Sequence, residues 1–442
     1  VAVSRLLPDA PVRVRSGVDP LAFVWADLEA TAARLPALLQ GEAERTPLLV
    51  TGAWGSGKTT LMRLVQGELE GPAGLPAAPS RTVWFDAWAH VGQAGLLVAL
   101  CREVWDQAPA HRTGDQVDGV RLRNLMKAAI AASLGFASSA AATAATLSGM
   151  PWAAPMLAWL DPGRIGKTLL TTSKDVEANP VPPEPPLRAL ANQLRAVLLL
   201  GWGEGEDGAI PAGREPVLFV DDLDRCPPDE ALRLLDQVRT LLELGLPCRV
   251  VFGVDRAILH QAVQHRFRAL PDYDGNRYLE KVFPLSVDVG GPAKADMGRF
   301  VRGLVGWLAQ HNAGAAALAE HADDLVEVLQ EPAFANPRLV KRCLNRFALV
   351  VAWSEGLPGP AADVVLWIAA GERWPRLREL ARKHPDRDWW MGFLGGDGTT
   401  PEVAAFFAQP GARHFLYDRM LKDPQRVQRL LDIDTALRRL GL

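Results

Sequence analysis

The stretch Gly52-Ala53-Trp54-Gly55-Ser56-Gly57-Lys58-Thr59 decides the fold of this 442-residue chain. It fits G-x-x-x-x-G-K-[ST], the P-loop pattern that folds backbone amides round phosphate. Pro47-Leu48-Leu49-Val50-Thr51 before it reads as a short apolar strand, and Thr60-Leu61-Met62-Arg63-Leu64-Val65 after it has a helical pattern. Glycines at 52, 55 and 57 let the backbone wrap an anion with its N–H groups pointing inward. The following helix N-terminus adds partial positive charge at the same place. Lys58 is expected to reach the β/γ-phosphates and the Thr59 hydroxyl to hold Mg²⁺. Trp54, Ser56 and Thr60 complete the expected nucleotide-contacting set. A chance glycine turn is the plain alternative, and the strand-loop-helix context argues against it. The expectation is a chain that binds a nucleoside triphosphate.

That chemistry needs an acidic residue ending a second buried strand. Val217-Leu218-Phe219-Val220 followed by Asp221-Asp222 supplies it. Four apolar residues read as a strand covered on both faces, as parallel strands are. Two carboxylates at its C-terminal end stand where ligands bind in open α/β sheets. Asp221 is assigned to Mg²⁺ through water, and Asp222 to orienting or deprotonating the attacking water. The competing reading is an acidic helix start, because Cys226-Pro227-Pro228-Asp229-Glu230 opens a helix that Asp229 could cap. It covers Asp229 well and Asp221 poorly.

The combined motifs resemble the KAP family of P-loop NTPases. The resemblance rests on GAWGSGKT, the aromatic strand end Trp84 to His90, VLFVDDLDRCPPDEAL, VVFGVDR at 250–256, the run Tyr278 to Lys281, and Asn336-Pro337-Arg338 followed by Lys341, Arg342 and Asn345. It covers about residues 17 to 350, with the motifs in the family's order. It implies an additional strand between the P-loop and Walker B strands, for which Val250 to Val254 is the candidate. Asp255 would then face the γ-phosphate as a sensor, or else cap the helix that follows. The resemblance also implies a lid whose arginine touches nucleotide. Arg338 matches it, with a solvated helix-start arginine as the alternative. The family places an arginine at Arg225 too, acting within its own site, completing a neighbour's, or pairing with Asp222 or Asp224. ATP rather than GTP follows from the resemblance; no N-K-x-D guanine signature is visible.

Length allows two or three domains with substantial cores. A net charge of −3 and a pI near 6.3 give no global attraction to nucleic acid. The four cysteines, at 101, 226, 248 and 343, lack C-x-x-C spacing and read as buried thiols. The eight histidines form no H-x₃-H or HExxH cluster, so no metal beyond Mg²⁺ is expected. Arg5, Asp9, Arg13 and Arg15 interrupt the first twenty residues, which argues against a signal peptide and for a cytoplasmic protein.

Lys58 and Asp221 lie 163 residues apart, more than one strand and two helices require. Between them, Ala128 to Leu160 is thirty-three alanine-rich residues without a charge. The KAP family often carries transmembrane helices here, so a membrane hairpin is one reading. The flanking strands share a sheet, so crossings must be even in number, and two short spans need roughly 34 residues. Basic residues flank both ends, which suits a hairpin with cytoplasmic ends and also ordinary solvated helix ends. A soluble or interfacial helical hairpin is the preferred reading, with membrane insertion, or attachment at the cytoplasmic face of the inner membrane, as the alternative.

Elsewhere, residues 176–186 read as a proline linker, Arg188 to Leu200 as an amphipathic helix, and 201–215 as an exposed loop. Leu232 to Leu244 reads as a core helix, and Val282 to Val287 as a fifth strand. Asp296 is expected to cap a helix to about His311, followed by helices near 321–330 and 338–353. Trp367, Trp374, Trp389 and Trp390 in the helical tail either fill a core or face a partner.

The expected fold class is α/β, a P-loop NTPase three-layer sandwich with a parallel central sheet. Its expected parts are 17–120 and 187–290 for the two halves of the NTPase domain, 121–186 for the helical insert and linker, 291–355 for a helical lid and 356–442 for a helical tail. The expected activity is Mg²⁺-dependent ATP hydrolysis acting as a conformational switch, with a protein partner or self-association. Resemblance to bacterial members of the family suggests phage exclusion or host defence. The alternatives are a nucleotide-stabilised scaffold without turnover and a phosphotransferase.

Overall fold

Apolar runs too short for helices form a parallel sheet, in which a strand buries both faces at once. In the computed structural model these are β1 (Leu48–Thr51), β2 (Thr82–Asp86), β3 (Val217–Asp221), β4 (Arg249–Val254) and β5 (Leu285–Asp288). The structure describes residues 5–9, 11–12, 21, 23–41, 45–70, 81–92, 95–108, 116–135, 185–204, 208–269, 273–312, 318–395, 404, 406, 408–409, 411–412, 416–421 and 423–442. The strand order is β2-β3-β4-β1-β5, and every neighbouring pair is parallel. The strand ending at Val254 thus stands between β1 and β3, as the resemblance implied. Its Phe252 registers with Leu49 on one side and Val220 on the other. β1, β3 and β4 are buried along their whole length, whereas β5 forms an edge and is largely exposed.

The chain divides into two compact units, and the whole sheet belongs to the one made of Ala32–Gly52 and Val65–Asp288. Two helices, α1 (Ala26–Gln40) and α2 (Lys58–Glu70), contribute residues to both units. The sheet unit adds α3 (Leu96–Gln107), α4 (Gln116–Gly135), α5 (Pro186–Trp202), α6 (Pro228–Glu243), α7 (Arg256–Arg266) and α8 (Gly275–Val282). Leu232, Leu235 and Leu242 on α6 meet Leu100, Leu194 and Val250 in one core. Asp236, from α6, accepts from Tyr278 Oη at 2.5 Å and Arg266 Nη1 at 2.9 Å, so the tyrosine of the Tyr278 to Lys281 run is structural.

Local expectations needed correction in this unit. The strand expected from Val282 starts at Leu285, because Asp274 caps α8 at the Asn276 amide and the helix continues to Val282. Pro284, without an N–H, separates the two elements. Asp229 does not cap α6: Pro227 holds that position and Pro228, its φ preset, takes the first helical turn with Asp229 beside it. Stretch 201–215 is not uniformly exposed either. Trp202 is buried at the end of α5, and buried Glu215 accepts from Arg45 at 3.2 Å and from the Gly213 amide at 3.1 Å. The uncharged stretch 128–160 begins within α4 and from 136 onward lies outside the described residues, as does most of the proline linker.

The other unit comprises Val1–Thr31, Ala53–Leu64 and Val289–Leu442. Its described helices are α9 (Lys294–His311), α10 (Ala322–Leu329), α11 (Pro337–Trp353), α12 (Ala361–Arg373), α13 (Pro375–Lys383), α14 (Arg387–Gly395) and α15 (Pro424–Arg439). One apolar core runs through them from Met297 to Leu437. Ala293 rather than Asp296 occupies the cap of α9; Asp296 lies in the first turn, where Arg299 pairs with it. Trp367, Trp374 and Trp390 are fully buried, and Trp367 donates its indole N–H to Asp434 at 3.0 Å. Three of the four tail tryptophans fill the core, and half-buried Trp389 stacks on His384 with 3.7 Å between ring centroids.

Candidate functional site: a phosphate loop and an acidic strand end

β1 ends at Thr51 and the chain enters the glycine loop at once. Gly55 and Gly57 hold φ of +82° and +105°, left-handed backbone that a Cβ would strain. Space forbids a side chain as well. A Cβ at Gly55 would meet Asn336 Oδ1 at 2.6 Å, and one at Gly57 would meet the Trp25 ring at 2.9 Å. The Ser56 amide closes the turn onto the Ala53 carbonyl at 3.0 Å. Lys58 is 8% exposed, with its Nζ at 3.4 Å from the Ala53 carbonyl oxygen, so the ammonium is curled back over its own loop. Thr59 and Thr60, both half-buried, continue the first turn of α2.

The loop's own polar groups fit a phosphate. The Ser56 hydroxyl is buried with no hydrogen-bond partner, a state that costs roughly 1–3 kcal/mol unless something supplies one. Helix N–H groups without helical acceptors, a buried ammonium and an orphaned hydroxyl in one loop fit an oxyanion. The hard oxygen donors expected for Mg²⁺, the Thr59 hydroxyl and a carboxylate, are of the type that ion takes.

Trp54, 57% exposed, carries the loop's contact with α11. Asn336 caps that helix by accepting from the Arg338 and Leu339 amides at 3.0 and 3.2 Å. Its Nδ2 donates to the Trp54 carbonyl at 2.7 Å. The Arg338 guanidinium lies 5.1 Å from the Trp54 ring centroid and donates from Nε to Asp9 at 2.8 Å. Arg338, expected on a lid, thus stands beside the phosphate loop with a carboxylate already on it.

The acidic strand end belongs to the sheet unit. Asp221 closes β3 and is 4% exposed. Asp222 follows at φ 55°, ψ 25°, the one non-glycine residue with positive φ among the described residues. Its Oδ1 meets Arg225 Nη2 at 3.0 Å, and the Arg225 guanidinium lies over Trp88 at 5.4 Å. Asp224 Oδ2 accepts from the Asp255 amide at 2.8 Å, tying the ends of β3 and β4. Asp255 itself caps α7, accepting from the Ala257 amide at 2.9 Å. Of the two roles weighed for it, capping is the one the geometry displays. Burial, reinforced by the carboxylates of Glu230, Asp86, Asp224 and Asp222, pushes the Cys226 thiol up to about 12, so it is no nucleophile at neutral pH.

The structure gathers Trp54, Gly55, Asn336 and Arg338 in one unit, and Asp221, Asp222, Asp224, Arg225 and Asp255 in the other. Sequence reasoning passed over the roles of Asn336, Asp224, Trp25 and Asp9. Asn336 was findable, since an asparagine before Pro337 is a helix-start signature. Among the described residues no three His, Cys, Asp or Glu side chains cluster as a metal site, and no helix is long and apolar enough to cross a membrane.

Compared with models of known families, residues 29–353 match the KAP family P-loop domain. No individual curated protein matches the chain.

Proposed function

From the premise that the chain belongs to the KAP family of P-loop NTPases, we propose that it binds ATP with Mg²⁺ and hydrolyses it as a conformational switch. The observation that carries this reading is the phosphate loop, with Lys58 buried over it and the Ser56 hydroxyl left without a partner. In this reading Gly52, Gly55, Gly57 and the first turn of α2 supply backbone N–H groups to phosphate, and Lys58 supplies charge. Thr59 and Asp221 would supply hard oxygen ligands to the ion, which would contribute positive charge to offset the phosphate. Asp222 orients the attacking water and takes its proton. Arg338 reaches the nucleotide from α11, and Asp255 caps α7.

One observation favours a second reading, a nucleotide-stabilised scaffold without turnover. Asp222 Oδ1 is already engaged by Arg225 Nη2 at 3.0 Å, so the carboxylate has a partner other than an attacking water. Phosphate release measured with ATP and Mg²⁺ separates the two. Turnover that Lys58→Ala abolishes with loss of binding, and Asp222→Asn abolishes with binding kept, supports the switch. Binding without turnover in the unaltered chain supports the scaffold.

Partnership and pathway follow by family analogy alone. We infer a cytoplasmic switch that acts through a protein partner or self-association, in phage exclusion or another host defence. Plating efficiency of phage on cells with the unaltered chain or its Lys58→Ala variant tests it; equal plating on both would refute the defence role.

A further inference from the structure

Residues 5–9 are read by side chains as a neighbouring strand would read them. The Arg5 amide donates to Asn312 Oδ1 at 2.9 Å, and its carbonyl accepts from Asn312 Nδ2 at 2.8 Å. Leu7 repeats the pattern with Asn345, its amide donating at 2.8 Å and its carbonyl accepting at 3.1 Å. A two-residue step is the strand period, so one edge of the segment meets both asparagines. Leu7 meanwhile enters the helical core at 5% exposure. Lys341 Nζ donates to the Pro8 carbonyl at 3.1 Å, and Arg338 Nε to Asp9 at 2.8 Å. Arg338, Lys341 and Asn345 are spaced to share one face of α11.

Arg338 belongs to two assemblies at once. Its guanidinium carries Asp9 and lies over Trp54, and its Cβ stands 3.0 Å from where a side chain at Gly55 would begin. One cation therefore connects the N-terminal segment to the phosphate loop. The pair is poorly suited to permanence: the Asp9 side chain is 63% exposed, and pairs open to water are worth at most about 1 kcal/mol. A terminal phosphate carries more charge and more acceptor oxygens than a carboxylate.

We propose that residues 5–9 form a nucleotide-responsive strap, in which Asp9 is the resident anion on Arg338 and a triphosphate in the phosphate loop displaces it, loosening the strap. The proposal rests on the nucleotide-binding reading above. Linkage makes the coupling reciprocal: if triphosphate weakens the strap, the strap weakens triphosphate binding by the same factor.

The test uses the full chain with Mg²⁺ and either ADP or a slowly hydrolysed ATP analogue, measuring affinity by calorimetry and amide exchange at Arg5 and Leu7. The analogue, and not ADP, should speed exchange at both amides in the unaltered chain. Asp9→Asn should tighten analogue binding about two- to fivefold with ADP affinity unchanged. Asn345→Ala, which loosens the strap away from Arg338, should shift the affinity ratio the same way. An unchanged or lowered ratio in Asp9→Asn, or exchange indifferent to the analogue, overturns the strap alone. Failure of the unaltered chain to bind the analogue overturns the strap and the nucleotide reading together.

Discussion

The side-chain amide of Asn336 donates to the Trp54 carbonyl at 2.7 Å, joining the first turn of α11 to a loop 282 residues earlier. The same side chain caps its own helix through Oδ1. Its two ends do different things, so substitutions can separate them.

Asn336→Ala should lose both functions, with a stability loss of about 1 kcal/mol from the cap alone. Asn336→Asp keeps an acceptor for the cap but loses the donor to Trp54. Thermal denaturation should therefore show the aspartate variant near the unaltered chain, while nucleotide affinity falls in both. Equal thermal loss in both would refute the division of labour.

Gly55→Ala faces a left-handed backbone and a Cβ only 2.6 Å from Asn336 Oδ1. The backbone penalty is about 1–2 kcal/mol before the collision is counted. Gly67→Ala, in helix α2 with nothing within 4 Å of its Cβ, should instead stabilise by about 0.5–1 kcal/mol. Chemical denaturation of the two variants should move in opposite directions.

Cys101, Cys226 and Cys248 have their thiols pushed up to about 12 by burial. In the unfolded chain a thiol titrates near its ordinary value of about 8.5. Above that value the unfolded state loses its proton while the folded state keeps it. Their contribution is fully present below about pH 8.5 and is lost towards 12, at up to about 1.4 kcal/mol per pH unit for each thiol. Unfolding free energies at about pH 8.5 and 10.5 should show a shallower fall in Cys101→Ala than in the unaltered chain. Parallel slopes would count against this.

The two readings weighed for the uncharged stretch 128–160, most of which lies outside the described residues, are separated by fractionation, with the non-membrane reading preferred. Carbonate-washed membranes should therefore be free of the full chain. Its deletion, joined by a short glycine-serine linker, should expose apolar surface and aggregate. Carbonate-resistant pelleting of the full chain would instead mark a membrane hairpin.

The central strands were legible because fully buried parallel strands read as unbroken apolar runs, and Val217 to Val220 and Val250 to Val254 are such runs. Gly55 and Gly57 were legible because their backbone excludes other residues. The start of β5 was less so, since Val282 suits a helix or a strand and only the Asp274 cap decides for the helix. Asp9, Trp25 and Asp224 act through partners distant in sequence or through backbone geometry that local composition does not encode. One carboxylate at a strand end suits both a helix cap and a sensor in sequence, and the bond from the Ala257 amide to Asp255 displays the cap.

Asp222 sets heat resistance against usefulness. Its φ of 55° is a conformation glycine adopts freely and aspartate only at some cost. A library sorted solely for survival at high temperature should drift to glycine at 222, discarding the carboxylate to which catalysis is assigned. If Asp222 serves hydrolysis as proposed, breeding a hardier version of this protein requires a selection that scores turnover in every round, or the first gains will come from disarming it.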